Sequence, residues 1–129
     1  MSAGNLNQLA AIAAGGALGS VLRYAMSSWV AMLTGRGFPY GTLAVNVAGC
    51  LAMGFLFVLF VDRLSDSAIW RAGLLIGVLG GFTTFSSFSI ETFNLIEQGD
   101  ILKALANVMA SVMLCLLATW IGAVIARAL

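Results

Sequence analysis

The chain has 129 residues, of which 61% are hydrophobic and only 9% are charged, with a mean hydropathy of +1.05 and a formal net charge of +1. This composition excludes an ordinary soluble domain, and the length leaves room for one domain. We therefore predict an integral membrane protein with a single transmembrane domain over residues 1–129. The two cysteines, Cys50 and Cys115, lie inside apolar runs without metal-ligand spacing and are interpreted as small buried hydrophobic residues.

Uncharged runs predict the membrane spans. Three of them cover residues 37–61, 72–90 and 104–126, each close to the ~20 residues that cross the hydrocarbon as a helix. A fourth run, over residues 9–33, is interrupted only by Arg23, which we expect toward one end of the helix, where its long side chain reaches the interface. No basic residue precedes Arg23, so a cleavable signal peptide is not expected. The predicted fold is all-α, with four transmembrane helices.

The basic residues divide almost evenly between the two ends of these helices. Arg63, Arg71 and Arg127 lie at one end, and Arg36, Lys103 and Arg23 at the other. Because Lys and Arg in short loops set orientation, a near-tie predicts a weakly fixed direction or insertion both ways. A chain inserted both ways can pair with itself antiparallel, which supplies between subunits the inverted symmetry of larger transporters. Alternatively, the chain has an ordinary charge bias with one orientation, and the near-tie arises only because Arg23 is assigned to the wrong end of its helix.

The second span begins with the stretch GTLAVNVAGC, in which Thr42 and Asn46 are four residues apart and share a helical face. A carboxamide at membrane depth needs hydrogen-bonding partners. By itself, Asn46 would be interpreted as a structural residue that makes an interhelical hydrogen bond. Whether it also has a functional role depends on the third span.

The third span contains the stretch GGFTTFSSFS, Gly80 to Ser89. Paired glycines followed by the β-branched Thr83 and Thr84 are unfavourable inside a helix, and we predict a helix break near Gly80 to Thr84. Non-helical backbone at this depth is tolerated only when it is buried in protein or lines a cavity. The half-helix before the break presents carbonyls that suit a cation, whereas the one after it presents amides that suit an anion.

The side chains around the break favour an anion. The predicted membrane core contains no carboxylate and no histidine. Its side chains that can donate hydrogen bonds include those of Thr42, Asn46, Ser86, Ser87, Ser89, Ser111 and Thr119. Phe85 and Phe88 are three residues apart on one face, and the positive edges of their rings would attract an anion. Simple packing of the two rings is the alternative, but hydroxyl groups lie beside nearly every ring.

At this point the chain resembles the Fluc, or CrcB, fluoride channels over essentially its whole length. The resemblance is carried by GGALGSVLRY, GTLAVNVAGC and GGFTTFSSFS followed by Glu91. It implies a small protein of the bacterial inner membrane that assembles as an antiparallel, dual-topology homodimer. It also implies two fluoride pores per dimer and a central structural sodium ion.

The resemblance also assigns roles to individual residues. Asn46 would donate to fluoride at the vestibule end of each pore, and Phe85 and Phe88 would contact the ion by their ring edges. Main-chain carbonyls of Gly80 and Thr83 from both subunits would hold the sodium ion. The polar track beside the rings corresponds to Thr42, Ser86, Ser87, Ser89, Ser111 and Thr119, with Glu91 at its end. Glu91 is alternatively a solvated residue at a helix end.

The leading hypothesis is passive fluoride conduction that exports the ion and protects the cell from its toxicity. The second is a coupled exporter, in particular a fluoride/proton antiporter, for which Glu91 is the only candidate acid because spans one, two and four have none. The third is an accessory subunit without transport. An enzyme is not expected, because no pair of nucleophile and base can be assembled from these residues.

Overall fold

The computed structural model describes residues 2–64, 66 and 68–129. In this part of the chain, four helical segments are long and apolar enough to cross a membrane, as predicted. They are helix α1 (Ala3–Thr34), helix α2 (Tyr40–Asp62), a composite third span (Ala68–Glu97) and the last helix (Ile101–Ala128). The last helix is α6 in the numbering used below.

The third span is broken, which confirms the prediction. It consists of α3 (Ala68–Arg71), a π-helical segment (Ala72–Leu79), a short turn α4 (Gly80–Phe82) and α5 (Phe85–Glu97). Thr83 and Thr84 between α4 and α5 have extended backbone, with ψ of 154° and 119°. The wider π-helical turns of this span were not predicted.

Helix α1 packs against the π-helical segment through glycines. A Cβ atom on Gly19 would lie 2.9 Å from the backbone nitrogen of Phe82, and one on Gly15 would lie 3.0 Å from that of Val78. Since real Cβ atoms do not approach backbone this closely, only glycine permits the contact. The small residues of GGALGSVLRY therefore hold α1 against the segment that leads into the break.

Arg23 lies in the C-terminal half of α1. It is eleven residues before Thr34, the last residue of α1, or about 16 Å at 1.5 Å per residue. Its Nε atom is buried, and no described residue accepts a hydrogen bond from it.

Helix α2 crosses both the break and α6. A Cβ on Gly49 would lie 3.1 Å from Cδ1 of Phe82, which brings the middle of α2 to the break. Farther along, a Cβ on Gly54 would lie 2.8 Å from the carbonyl carbon of Thr119 on α6. Helix α2 thus connects the break to the fourth span.

Candidate functional site at the helix break

Asn46 holds the backbone at the break. Its Nδ2 donates to the carbonyl of Thr84 at 2.9 Å, and its Oδ1 accepts from the Thr84 amide at 2.7 Å. Thr84 is buried, and in extended backbone both groups need partners outside the helix. The carboxamide on α2 supplies both, so Asn46 makes an interhelical contact and lies at the site. Its second Nδ2 hydrogen remains available to another acceptor.

The same contacts free two carbonyl groups. In a continuous α-helix the Thr84 amide would donate to the carbonyl of Gly80, but here it donates to Asn46. Likewise, the Ser87 amide would donate to the carbonyl of Thr83, but it donates to Oγ1 of Thr84 at 3.1 Å. The carbonyls of Gly80 and Thr83 are therefore released from their usual helical donors.

Hydroxyl groups cluster at the start of α5. Thr84 is the N-cap of this helix, and its Oγ1 lies 3.3 Å from Oγ of Ser86 and donates to Oγ of Ser87 at 3.1 Å. Ser86 and Ser89 are exposed, and Ser87 is half-buried. The Thr84 side chain was not predicted as part of the polar track, although a threonine at a helix start is a recognisable cap.

Phe85 and Phe88 are brought together, but in different environments. Their ring centroids are 5.2 Å apart and their planes are inclined by 50°. Phe88 is 9% exposed, whereas Phe85 is 77% exposed. Phe88 therefore packs within the chain, and the Phe85 ring is available to lipid, to a partner or to an ion.

Thr42 and Glu91 form a polar pair on the side of the break that faces the start of α2. The hydroxyl of Thr42 donates to Oε1 of Glu91 at 2.7 Å. Oε2 of Glu91 is buried, and no described residue donates to it. Glu91 is half-buried and lies inside α5, seven residues after Thr84, the N-cap of that helix.

This pair lines a large cavity. The cavity has a volume of about 870 Å³ and is lined by the end of α1, the start of α2, the later turns of α5 and the start of α6. Arg36 and Lys103 also line it. Two acidic residues, Glu91 and Asp100, line the same cavity, so the formal charges of its lining balance.

Ser111 is linked to the backbone of Phe88 through two residues that were not predicted as part of the site. Its hydroxyl donates to Oδ1 of Asn107 at 3.4 Å, and Nδ2 of Asn107 donates to Oγ1 of Thr92 at 2.9 Å. The Thr92 hydroxyl in turn donates to the carbonyl of Phe88 at 2.7 Å. Asn107 is only 2% exposed. A carboxamide four residues before Ser111 in an apolar span was the available signal.

Thr119 lies apart from the other predicted residues. Its hydroxyl donates to the carbonyl of Cys115 at 3.0 Å, and its backbone packs on Gly54. It lines a smaller cavity of about 250 Å³, which Asp62 and Arg127 also line. The structure thus brings most of the predicted track together at the break and places Thr119 farther along α6.

Among the residues that the structure describes, no group of three or more His, Cys, Asp or Glu side chains has the arrangement of a metal site. A cation at the break would depend on main-chain oxygen atoms. The carbonyls of Gly80 and Thr83 have this chemistry, because oxygen atoms are the ligands of hard cations.

Comparison with known proteins identifies the family. The profile of the family described as CrcB-like protein, Camphor Resistance (CrcB), matches residues 10–123. The chain belongs to the CrcB family. It is therefore a multi-pass membrane protein of an ion-channel family rather than an enzyme, as the sequence analysis predicted.

Three similar proteins are each named a fluoride-specific ion channel, FluC. The protein of Coxiella burnetii (strain Dugway 5J108-111) is 54% identical over 86% of this chain and 90% of its own length. That of Geotalea uraniireducens is 52% identical over 92% of this chain and 95% of its own length. That of Methylococcus capsulatus is 51% identical over 94% of this chain, which spans only 53% of that relative.

Proposed function

We propose that this CrcB-family protein is a fluoride channel that conducts the ion passively through the helix break. The observation that carries the proposal is the start of α5, where a helix N-terminus, a hydroxyl cluster and the exposed Phe85 ring lie together. The names of the relatives supply fluoride as the ion. We further propose that the channel exports fluoride from the cytoplasm across the bacterial inner membrane.

The groups at the break suit a small, strongly hydrated anion. The N-terminus of α5 contributes a partial positive charge, and the hydroxyls of Ser86, Ser87 and Ser89 contribute donors. The second Nδ2 hydrogen of Asn46, which is not bonded to Thr84, would be a further donor to the anion. Selectivity follows if these donors and the positive ring edges of Phe85 and Phe88 replace the water that fluoride gives up.

We propose that the working form is an antiparallel, dual-topology homodimer with two pores. The near-even division of basic residues supports insertion in both orientations. The 77% exposure of Phe85, beside the polar start of α5, supports completion of the pore by a second subunit. The second chain would then cover the ring that one chain leaves open.

We propose that a structural sodium ion, held by the carbonyls of Gly80 and Thr83 from both chains, lies at the centre of this dimer. The two carbonyls fit this role because Asn46 and Thr84 have taken up their helical donors. Sodium would supply positive charge to carbonyl groups that meet at the break. The chain's own contribution is to keep the break open: Asn46 pairs with the Thr84 backbone, and Gly49 lets α2 approach.

A coupled fluoride/proton exchanger is the second candidate. It is favoured by Glu91, a half-buried carboxyl group at the end of the track whose Oε2 has no donor among the described residues. Proton exchange requires a titratable group along the path. The Glu91→Gln variant separates the two, because glutamine retains an oxygen acceptor for Thr42 but cannot exchange protons.

The test is fluoride efflux from liposomes that contain the purified protein, with potassium and valinomycin to balance charge. For a channel, we expect efflux that requires the potassium shunt but no proton gradient, ignores chloride and persists in Glu91→Gln. Phe85→Ile should lower the rate by about tenfold or more, which corresponds to ~1.4 kcal/mol of barrier. Phe93→Ile, an exposed phenylalanine two turns farther along α5, is the matched control.

Efflux that needs an opposing proton gradient and is lost in Glu91→Gln would favour exchange. Absence of fluoride flux in the wild-type protein would return the interpretation to an accessory subunit. Equal loss in the Phe85 and Phe93 variants would show that the break is not the path.

A further inference from the structure

The smaller cavity, beside Thr119, is a groove between α2 and α6. Both helices cross the membrane in the same direction, because they are the second and fourth of four consecutive spans. They meet where Gly54 packs on Thr119, and a Cβ on Gly122 would lie 2.8 Å from the backbone nitrogen of Phe55. From this contact the groove runs along both helices toward their C-terminal ends.

The groove has apolar walls and charged residues only at its outer end. On α6 it is lined by Thr119, Ala123 and Arg127, which are four residues apart and share one face. The Thr119 hydroxyl donates to a carbonyl of its own helix, so its proton is not available to the groove. On α2 every lining residue before Asp62 is apolar. The groove therefore suits a hydrocarbon chain along its length and a charged group at its end.

The charged end lies at a membrane–water interface. Asp62 is the last residue of α2, Arg127 is the next to last of α6, and both are exposed. Gly54, at the closed end, is eight residues before Asp62, or about 12 Å at 1.5 Å per residue. One leaflet contributes about 15 Å of hydrocarbon, half of the ~30 Å of a typical bilayer. The groove thus spans most of one leaflet, where the surrounding molecules are lipids.

We propose that this groove binds one zwitterionic phospholipid whose headgroup carries a primary amine, namely phosphatidylethanolamine. An acyl chain lies along the apolar walls. The Arg127 guanidinium donates to the phosphate, whose geometry its planar fork of N–H groups matches. The Asp62 carboxylate accepts hydrogen bonds from the ammonium group. This site goes beyond fluoride transport and does not depend on it.

The two charges at the end of the groove select among headgroups. One carboxylate and one guanidinium match a headgroup that has one phosphate and one ammonium. An anionic headgroup, such as that of phosphatidylglycerol, would meet Arg127 but would also face the like charge of Asp62. Phosphatidylcholine has the right charges, but its quaternary ammonium has no N–H to donate. Sites for quaternary ammonium groups use cages of aromatic rings, and Phe57 is the one aromatic residue among the described residues that line the groove.

Native mass spectrometry of the purified protein tests the proposal, because it counts bound lipids one by one. The protein in detergent is mixed with phosphatidylethanolamine, phosphatidylcholine and phosphatidylglycerol that have identical acyl chains. Asp62→Asn and Arg127→Gln each remove one charge, and Ala123→Phe fills the groove. Arg71→Gln and Ala13→Phe are the matched controls, at exposed positions that do not line it. Circular dichroism checks that each variant keeps its helix content.

For the wild-type protein, we expect one phosphatidylethanolamine per chain, bound about fivefold more tightly than phosphatidylcholine, which is the effect of one charged contact near a membrane surface. Asp62→Asn should abolish this preference and raise the binding of phosphatidylglycerol. Arg127→Gln should weaken all three lipids by a similar factor, because each has a phosphate. Ala123→Phe should lose the bound lipid, and both controls should match the wild type.

Equal binding of phosphatidylethanolamine and phosphatidylcholine to the wild type, or a preference that survives in Asp62→Asn, would overturn the proposal. Tighter binding of phosphatidylglycerol to the wild type would overturn it in favour of an anionic lipid. If Ala123→Phe reduces the oligomeric state in size-exclusion chromatography with light scattering and leaves lipid binding unchanged, a second copy of the chain occupies the groove instead. If Ala123→Phe fails to fold, the two charge variants decide the proposal.

Discussion

Removal of the Asn46 side chain tests the account of the helix break most directly. In Asn46→Ala, the amide and the carbonyl of Thr84 lose their partners at 2.7 and 2.9 Å. Thr84 is buried, so each orphaned group costs about 1–3 kcal/mol, and the two together about 2–6 kcal/mol. We expect the free energy of unfolding, measured by denaturant titration in detergent with circular dichroism, to fall by this amount.

The control is Asn94→Ala, the same substitution at an exposed position of α5, where a change within about 0.5 kcal/mol is expected. Asn46→Asp adds a second comparison, because an aspartate retains the acceptor for the Thr84 amide but offers no donor. It should be more stable than Asn46→Ala, yet conduct no fluoride, since its negative charge repels the ion. An Asn46→Ala protein as stable as wild type would refute the claim that this carboxamide holds the break.

Two further substitution pairs test the packing and the polar pair. Thr42→Val removes the hydroxyl that donates to Oε1 of Glu91 at 2.7 Å, and it should lower the free energy of unfolding by about 1–3 kcal/mol. Glu91→Gln retains an acceptor for Thr42 and should lower it less in the same denaturant titration. A larger loss in Glu91→Gln than in Thr42→Val would contradict the assigned hydrogen bond. Gly19→Ala should destabilise strongly because its Cβ would lie 2.9 Å from the Phe82 backbone nitrogen, but Gly16→Ala meets only an ordinary contact at 4.0 Å. Equal thermal stability of the two alanine variants would show that α1 does not depend on this close approach.

Several parts of the site were predictable because they depend on local chemistry. Paired glycines followed by two threonines predict the break, and the structure has extended backbone at Thr83 and Thr84. Spacing of four residues predicts that Thr42 and Asn46 share a face, and both side chains contact the third span. The roles of these residues toward fluoride and sodium remain predictions.

Other parts depended on contacts between distant segments. Asn107 was overlooked because its partner Thr92, fifteen residues away, is brought near only when α5 folds back against α6.

By itself, the sequence determined the class of the protein. With 61% hydrophobic residues and four long apolar runs, the chain is suited to a membrane, where backbone groups can be satisfied only in helices or closed barrels. It also determined where the third helix breaks, because helix propensity is a property of neighbouring residues. Only the tertiary structure decided what satisfies the broken backbone. The carboxamide of Asn46 reaches Thr84 from another helix, and close approach at Gly49 makes that contact possible. Such a contact depends on how helices pack, and no pattern within either segment specifies it.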